Sequence, residues 1–407
     1  MTRNKFPVTR RQALAVCVGA TIGSFTLPRE WFLSSPERIP QSATGSWPME
    51  RHDPARTGYA PESNGLTRKP NVSWQATIAD KDEILSRLVC SDKTVYATSN
   101  DTLYAFTAAT GSQRWQTSQF GTLPWTESSF RRTENSLQVR NGPTLGNKQL
   151  FVGSRNHLAA VDLTDGSAQW GRRTSGTSTV LRVGNTVYIN NGDTAVAIDL
   201  QSGLERWKTS PTVGVYPYAY ADGFIVGPAG DSDPSPVAAI NALTGKREWT
   251  TPIKIKNPVS SIPTHRPNPC IVNGTIYYGS GPLYALTLTD GTVRWSHSIG
   301  ATGVSLTPVS DGSAVYFVLD DSVRAVDAES GKLRWRVDLP ALETPALIDG
   351  TLYVGLEHGI AALDSATGDE QFRVTLSETE TVSSSPIIAG GTVYLALGQT
   401  LYALTDK

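Results

Sequence analysis

Apolar residues along this chain fall in short alternating runs separated by Gly, Asp, Asn and Pro, and segments with helical periodicity are nearly absent. Pairs of such runs meet at Asp-Gly or Gly-Gly, as in TPALIDGTLYVGL (344–356) and SPIIAGGTVYLAL (385–397), the pattern of antiparallel hairpins. After each hairpin comes a third element of fixed spacing, typified by AIDLQSGLERW (197–207): Ala, then Gly six residues on, then Trp four residues later. Seven copies keep that spacing without exception. Their alanines are Ala105, Ala160, Ala197, Ala239, Ala285, Ala325 and Ala362, and their glycines Gly111, Gly166, Gly203, Gly245, Gly291, Gly331 and Gly368. The aromatics are Trp115, Trp170, Trp207, Trp249, Trp295, Trp335 and Phe372.

The apolar run ending at Asp, Asn or Thr reads as a strand, Gly suits a turn at positive φ, and Trp opens the next strand with a broad apolar face. A small Ala lets a ring approach the backbone. Each repeat of about 43 residues therefore predicts a four-stranded antiparallel meander, one propeller blade. The chain ends in LYALTDK (401–407), an Ala-bearing strand without its Gly and Trp, while NVSWQATI (71–78) near the front carries an orphan Trp74. Pairing the two completes an eighth blade and removes open sheet edges. The expected fold is an all-β, eight-bladed β-propeller over residues 46–407, preceded by an export signal and linker over 1–45.

The A-x-D/N-x-x-T/S-G-x-x-x-W pattern resembles the tryptophan-docking motif of pyrroloquinoline quinone (PQQ)-type propellers, within the wider WD40- and YVTN-like class. That superfamily includes quinoprotein dehydrogenases and BamB-like outer-membrane assembly lipoproteins. SWPMERHDPARTGYAP (46–61) also resembles the W-x-x-x-x-x-D-x-x-x-T segment preceding the propeller in these families. The resemblance is specific for fold and weakly so for activity. It implies a scaffold for envelope or secreted proteins or, as the alternative, a binder of PQQ with calcium or a divergent quinoprotein oxidoreductase. The dehydrogenases carry a vicinal Cys pair beside the quinone. Here the cysteines are Cys17, Cys90 and Cys270, none adjacent, and there is no C-x-x-C-H haem site. A non-catalytic monomeric scaffold without cofactor or metal is the favoured expectation.

Composition adds localisation. Thr9-Arg10-Arg11 precedes about fifteen mostly apolar residues, a leader too short and Gly-rich for a comfortable membrane span. The arginine pair resembles a twin-arginine signal, which implies crossing the cytoplasmic membrane already folded. Two features depart from that pattern: Ala13 stands where a large apolar residue is usual, and no A-x-A cleavage site follows. Val16 before Cys17 does not suit lipid attachment. Removing residues 1–46 (six Lys/Arg, two Asp/Glu) leaves 30 basic against 35 acidic residues, a net charge of −5, with no basic footprint for nucleic acid.

Catalytic templates fail. His52, His157, His265, His297 and His358 are scattered without H-E-x-x-H, and there is no G-x-S-x-G elbow. Asp231 and Asp233 in GDSDPSP (230–236) lack the later bidentate Glu of a calcium loop. Cys90 and Cys270 fall in the first hairpins of blades one and five, across the ring, too far apart for a disulfide, and read as buried small apolar residues.

What remains is the channel and the loops. Aligned on their Tyr-bearing strands, the hairpins place Arg87, Arg140, Asn141, Tyr216, His265, Arg266, Asn268 and Glu343 at or just before the innermost strands. Three arginines near one axis suit a carboxylate or phosphate ligand; the plainer alternative, which we favour, is that they pair with Glu343 and solvent in a wet channel. Blade two carries the longest insertion, TESSFRRTENSLQVR (126–140), with Phe130 between polar residues and Arg131 and Arg132, residue types enriched at interface hot spots. It is a candidate partner loop, or a tolerated insertion without a role. The Pro-rich 258–269 segment is expected to rim the same ring.

Overall fold

The alternating runs become strands, and the strands become eight sheets. The computed structural model describes residues 46–406 except 62–63, 67, 80–82, 101, 119–141, 155–156, 176–179, 211–213, 231–235, 254–267, 280–281 and 299–305. The described residues are all-β, without helix, and belong to one compact unit spanning 34–407. They form eight four-stranded antiparallel sheets, the blades of a propeller. Seven follow chain order, from Leu88–Cys90 through Gln113–Thr117 in blade one to Ala346–Ile348 through Glu370–Thr375 in blade seven. Blade eight takes three strands from the C-terminus (Ile387–Ala389, Thr392–Leu397, Thr400–Thr405) and its outer strand, Asn71–Thr77, from the front of the chain. Trp74 faces Ala403 in that closing pair.

The first strands of neighbouring blades touch, so they line the axis. Second and third strands are buried, as in Thr94–Thr98, while fourth strands alternate exposed and covered positions, as in Gln113–Thr117.

The register explains the Ala–Gly–Trp spacing. Every repeat alanine pairs directly with its own blade's aromatic, from Ala105↔Trp115 to Ala362↔Phe372, and a bulge follows each alanine. A larger side chain there would compete with the indole for the same face. Each glycine serves the preceding blade: Gly111 has φ 71°, and a Cβ on it would stand 2.4 Å from the Trp74 ring. A side chain would therefore be strained and would also displace the indole. Seven Trp Nε1–H groups donate across the blade boundary to backbone carbonyls, from Trp74 to Ala108 at 2.9 Å through Trp335 to Ser365 at 2.9 Å.

Candidate functional site

The segment ahead of the first blade runs along the inner strands of the ring. Residues 47–60 exchange backbone hydrogen bonds with the first strands of successive blades. Trp47 and Cys90 of blade one bond reciprocally at 2.7 and 2.8 Å, and Leu145 N–H of blade two donates to Pro48 O at 2.7 Å. Tyr220 of blade four reaches Pro54, Ile271 of blade five Ala55, Ser310 of blade six Thr57, and Leu347 of blade seven Gly58. Blade three joins through a side chain: Arg56 Nη2 donates to Val180 O at 3.4 Å. Residues 47–60 therefore satisfy inner-strand groups that a bare channel would leave to water.

The motif residues shape this segment. Thr57 N–H donates to Asp53 Oδ1 at 3.1 Å and its hydroxyl to Oδ2, closing a turn. The Trp47 ring meets His52 edge-on with centroids 5.0 Å apart. Arg51, His52 and Arg56 have φ of 58°, 71° and 60°, a conformation that non-glycine residues hold only when their surroundings enforce it. Gly58, at φ 65°, lies so close to Val309 that a Cβ would fall 1.8 Å from Cγ1.

Charge is concentrated here. Arg51 Nη1 donates to the carbonyls of Asn268 (3.3 Å) and Pro269 (3.2 Å), and Nη2 to that of Pro308. Arg56 Nε donates to Tyr218 O at 3.0 Å and Nη1 to Glu50 O. Burial lowers the pKa of both guanidiniums. Glu50 meets Arg87 Nη1 at 3.2 Å; burial raises its pKa, but the charges of Arg87, Arg56 and Arg51 outweigh that and hold it below the usual glutamate value. Burial raises that of Glu343, against Arg87 and a hydrogen bond from Ser385 Oγ at 3.3 Å. A cavity of about 30 Å³ remains between Trp47, Glu50, Arg87, Gly142 and Ser385, room for a water or two and well below the roughly 300–1,000 Å³ of small-molecule pockets.

Of the residues singled out in the sequence, Arg87 and Glu343 stand at this axis. Asn268 takes part through its carbonyl. Tyr216 donates its N–H to Pro228 O at 3.0 Å, beside Tyr218 with ring centroids 6.3 Å apart. Arg140, Asn141, His265, Arg266, the Phe130–Arg132 loop and the Asp231/Asp233 turn lie outside the described residues. Glu50, Arg51 and Arg56 escaped the sequence reading, although they sit inside the W-x-x-x-x-x-D-x-x-x-T motif. That motif identifies a turn and does not reveal where the turn docks.

Cys90 and Cys270 are free and buried. Burial pushes the Cys270 thiol up to about 12 and raises that of Cys90 as well, so neither is a ready nucleophile. Among the described residues no group of three His, Cys, Asp or Glu side chains could hold a metal ion.

Comparison with known proteins agrees with the fold. The family model described as outer membrane protein assembly factor BamB matches residues 68–212, 172–319 and 319–407. BamB of Salmonella typhimurium is 27% identical over 371 residues, covering 83% of this chain and 89% of that protein. The serine/threonine-protein kinase AfsK of Streptomyces griseus is 27% identical over 176 residues, 40% of this chain; the match spans about a fifth (21%) of the kinase. The crystal structure of BamB from Moraxella catarrhalis superposes with TM-score 0.62 at 18% identity, covering 83% of this chain and all of that one (100%). Quinohemoprotein alcohol dehydrogenase from Comamonas testosteroni gives TM-score 0.66 at 13% identity, covering 88% and 80%. At such identities the structural likeness speaks for the fold alone. The repeat family matched from residue 68 to the C-terminus, carried on eight blades in the register described above, identifies the chain as a member of the outer membrane protein assembly factor BamB family.

Proposed function

We propose that this protein is an exported, non-catalytic propeller that scaffolds protein partners in the cell envelope, crossing the cytoplasmic membrane by its twin-arginine-like leader. The observation that carries this reading is the bonded inner rim. Residues 47–60 are hydrogen-bonded to the inner strands, and the guanidiniums of Arg51 and Arg56 are directed at backbone carbonyls. Arg87 is paired with Glu50. Membership of a family named for outer-membrane assembly supports protein partners over small-molecule turnover. A rigid ring with loops converging on its faces suits that task.

The test is a calorimetric titration of the full chain with PQQ in the presence of calcium, with folding checked by circular dichroism. No heat of binding is expected. Stoichiometric binding that weakens in Arg140→Ala or Arg266→Ala would overturn the proposal in favour of a quinone site.

A further inference from the structure

The turns joining first and second strands of blades one to three border a second, half-open pocket of about 560 Å³, flanked by the 46–54 segment. Its volume lies within the range of small-molecule sites, about 300–1,000 Å³. Buried Met49 and Leu145 give it apolar lining. Around it stand Lys93, Arg114 and Arg182 against one carboxylate, Asp92.

The repeat shows why this place is unusual. In blades three and six, the arginine before the docking Trp is neutralised by the aspartate ending the third strand: Arg206 by Asp199 at 2.7 Å, Arg334 by Asp327 at 2.8 Å. Blade one has the arginine, Arg114, but Thr107 in the aspartate's position. Arg114 instead donates to the Thr94 hydroxyl at 2.6 Å. Blade five repeats this substitution, with Arg294 on Thr275 at 2.6 Å, but its hairpin turn, Asn273-Gly274, brings no lysine. Blade one adds Lys93 in the turn itself, and among the described residues no carboxylate forms an ion pair with Lys93 or Arg114. Arg182 donates to the carbonyls of Gly184 and Leu145 and to Asn147 Oδ1, so its charge is fixed at the pocket wall.

We propose that this pocket binds a small organic anion, one carboxylate or sulfonate group on a flat apolar body, with Lys93 and Arg114 holding the charge and the Met49–Leu145 lining holding the body. Charge-assisted hydrogen bonds from two cations that no carboxylate neutralises supply orientation, and the apolar wall supplies contact area. The site shares Pro48, Met49 and Pro54 with the axial segment but not the cavity beside Glu50 and Arg87, and does not depend on the scaffold reading.

The test is a fluorescence titration of the full chain with anilinonaphthalene sulfonate, with uncharged phenylnaphthylamine as comparator. Saturable one-to-one binding is expected, weaker by about tenfold in Lys93→Ala and in Arg114→Ala, as for loss of one charged hydrogen bond. Arg114→Lys should retain most of the affinity, Lys332→Ala on blade six should match the parent, and the uncharged compound should bind about tenfold more weakly or worse. Absence of saturable binding, equal affinity in Lys93→Ala, or equal binding of the uncharged compound would overturn the proposal. Lys93 is an exposed turn residue, so its variant keeps the test valid even if Arg114→Ala fails to fold.

Discussion

The Tyr353 hydroxyl accepts the Leu66 N–H at 2.6 Å, a contact that replaces a missing turn. Elsewhere in the ring the corresponding tyrosine reaches the next blade: Tyr188 donates to Ala242 O at 3.1 Å, Tyr277 to Ala328 O at 3.3 Å and Tyr394 to Ala108 O at 3.3 Å. Trp207, Trp295 and Trp74 share those same carbonyls. Blade eight is split between the two ends of the chain and has no turn between its third and fourth strands, so the chain entering from the front supplies Leu66 instead.

Tyr353→Phe should therefore loosen the ring at its closure. It leaves the buried Leu66 N–H without its acceptor, at a cost of about 1–2 kcal/mol. Chemical denaturation followed by tryptophan fluorescence measures this as a lower midpoint at unchanged slope; an unchanged midpoint would show that Leu66 finds another acceptor.

The axial carboxylates should act in opposite directions with pH. Glu50 is held below its unfolded value of about 4.5, so its contribution is present above that pH and fades as pH falls through the lowered folded value. Glu50→Gln should destabilise the neutral protein by about 2 kcal/mol, less than for a fully enclosed pair because its side chain keeps about a third of its surface (32%). The loss should vanish in acid. Glu343 has a raised value, so its ionisation weakens the fold above the folded pKa and the penalty disappears as pH drops toward about 4.5. Glu343→Gln should be at least as stable as the parent at pH 7 and converge with it near pH 4. Thermal melts across this range check both signs, and parallel pH profiles for the two variants would contradict the assignment.

Docking tryptophans should separate into ring and N–H contributions. Trp335 is buried and donates to Ser365 O at 2.9 Å, its ring against Gly368. Trp335→Phe should cost about 1–2 kcal/mol for the lost hydrogen bond and area, and Trp335→Ala about 3–5 kcal/mol for the cavity. Equal midpoints for the two variants would mean that the ring adds nothing. Blade seven already carries the milder version: Phe372 stands at the boundary whose neighbour has no docking turn, where an indole N–H would meet no such carbonyl.

The blades were legible because each is written locally. Ala105 opposite Trp115, a positive-φ Gly111 and a fixed count between them are short-range requirements, and repetition made them unmistakable. The split blade was legible for the same reason, as an Ala strand without its Trp and a Trp strand without its Ala. The expected position of Arg87 and Glu343 followed from strand alignment, but their surroundings did not.

Those surroundings come from residues far apart in the chain. Arg51 bonds to Pro308 across 257 positions, and Arg56 to Tyr218 across 162, separations at which no spacing rule operates. The hydrophobic pattern by itself determined eight blades, their strands and their closure, since periodicity two, glycine turns and Trp–Ala pairing are properties of neighbouring residues. Only the tertiary structure decided that residues 47–60 would bond to the inner strands, that Glu50 would meet Arg87 there, and that Lys93 and Arg114 would border a pocket. These depend on the ring having closed: closure brings seven inner strands within hydrogen-bond reach of a single segment, and an unfilled channel would have left their buried polar groups without protein partners.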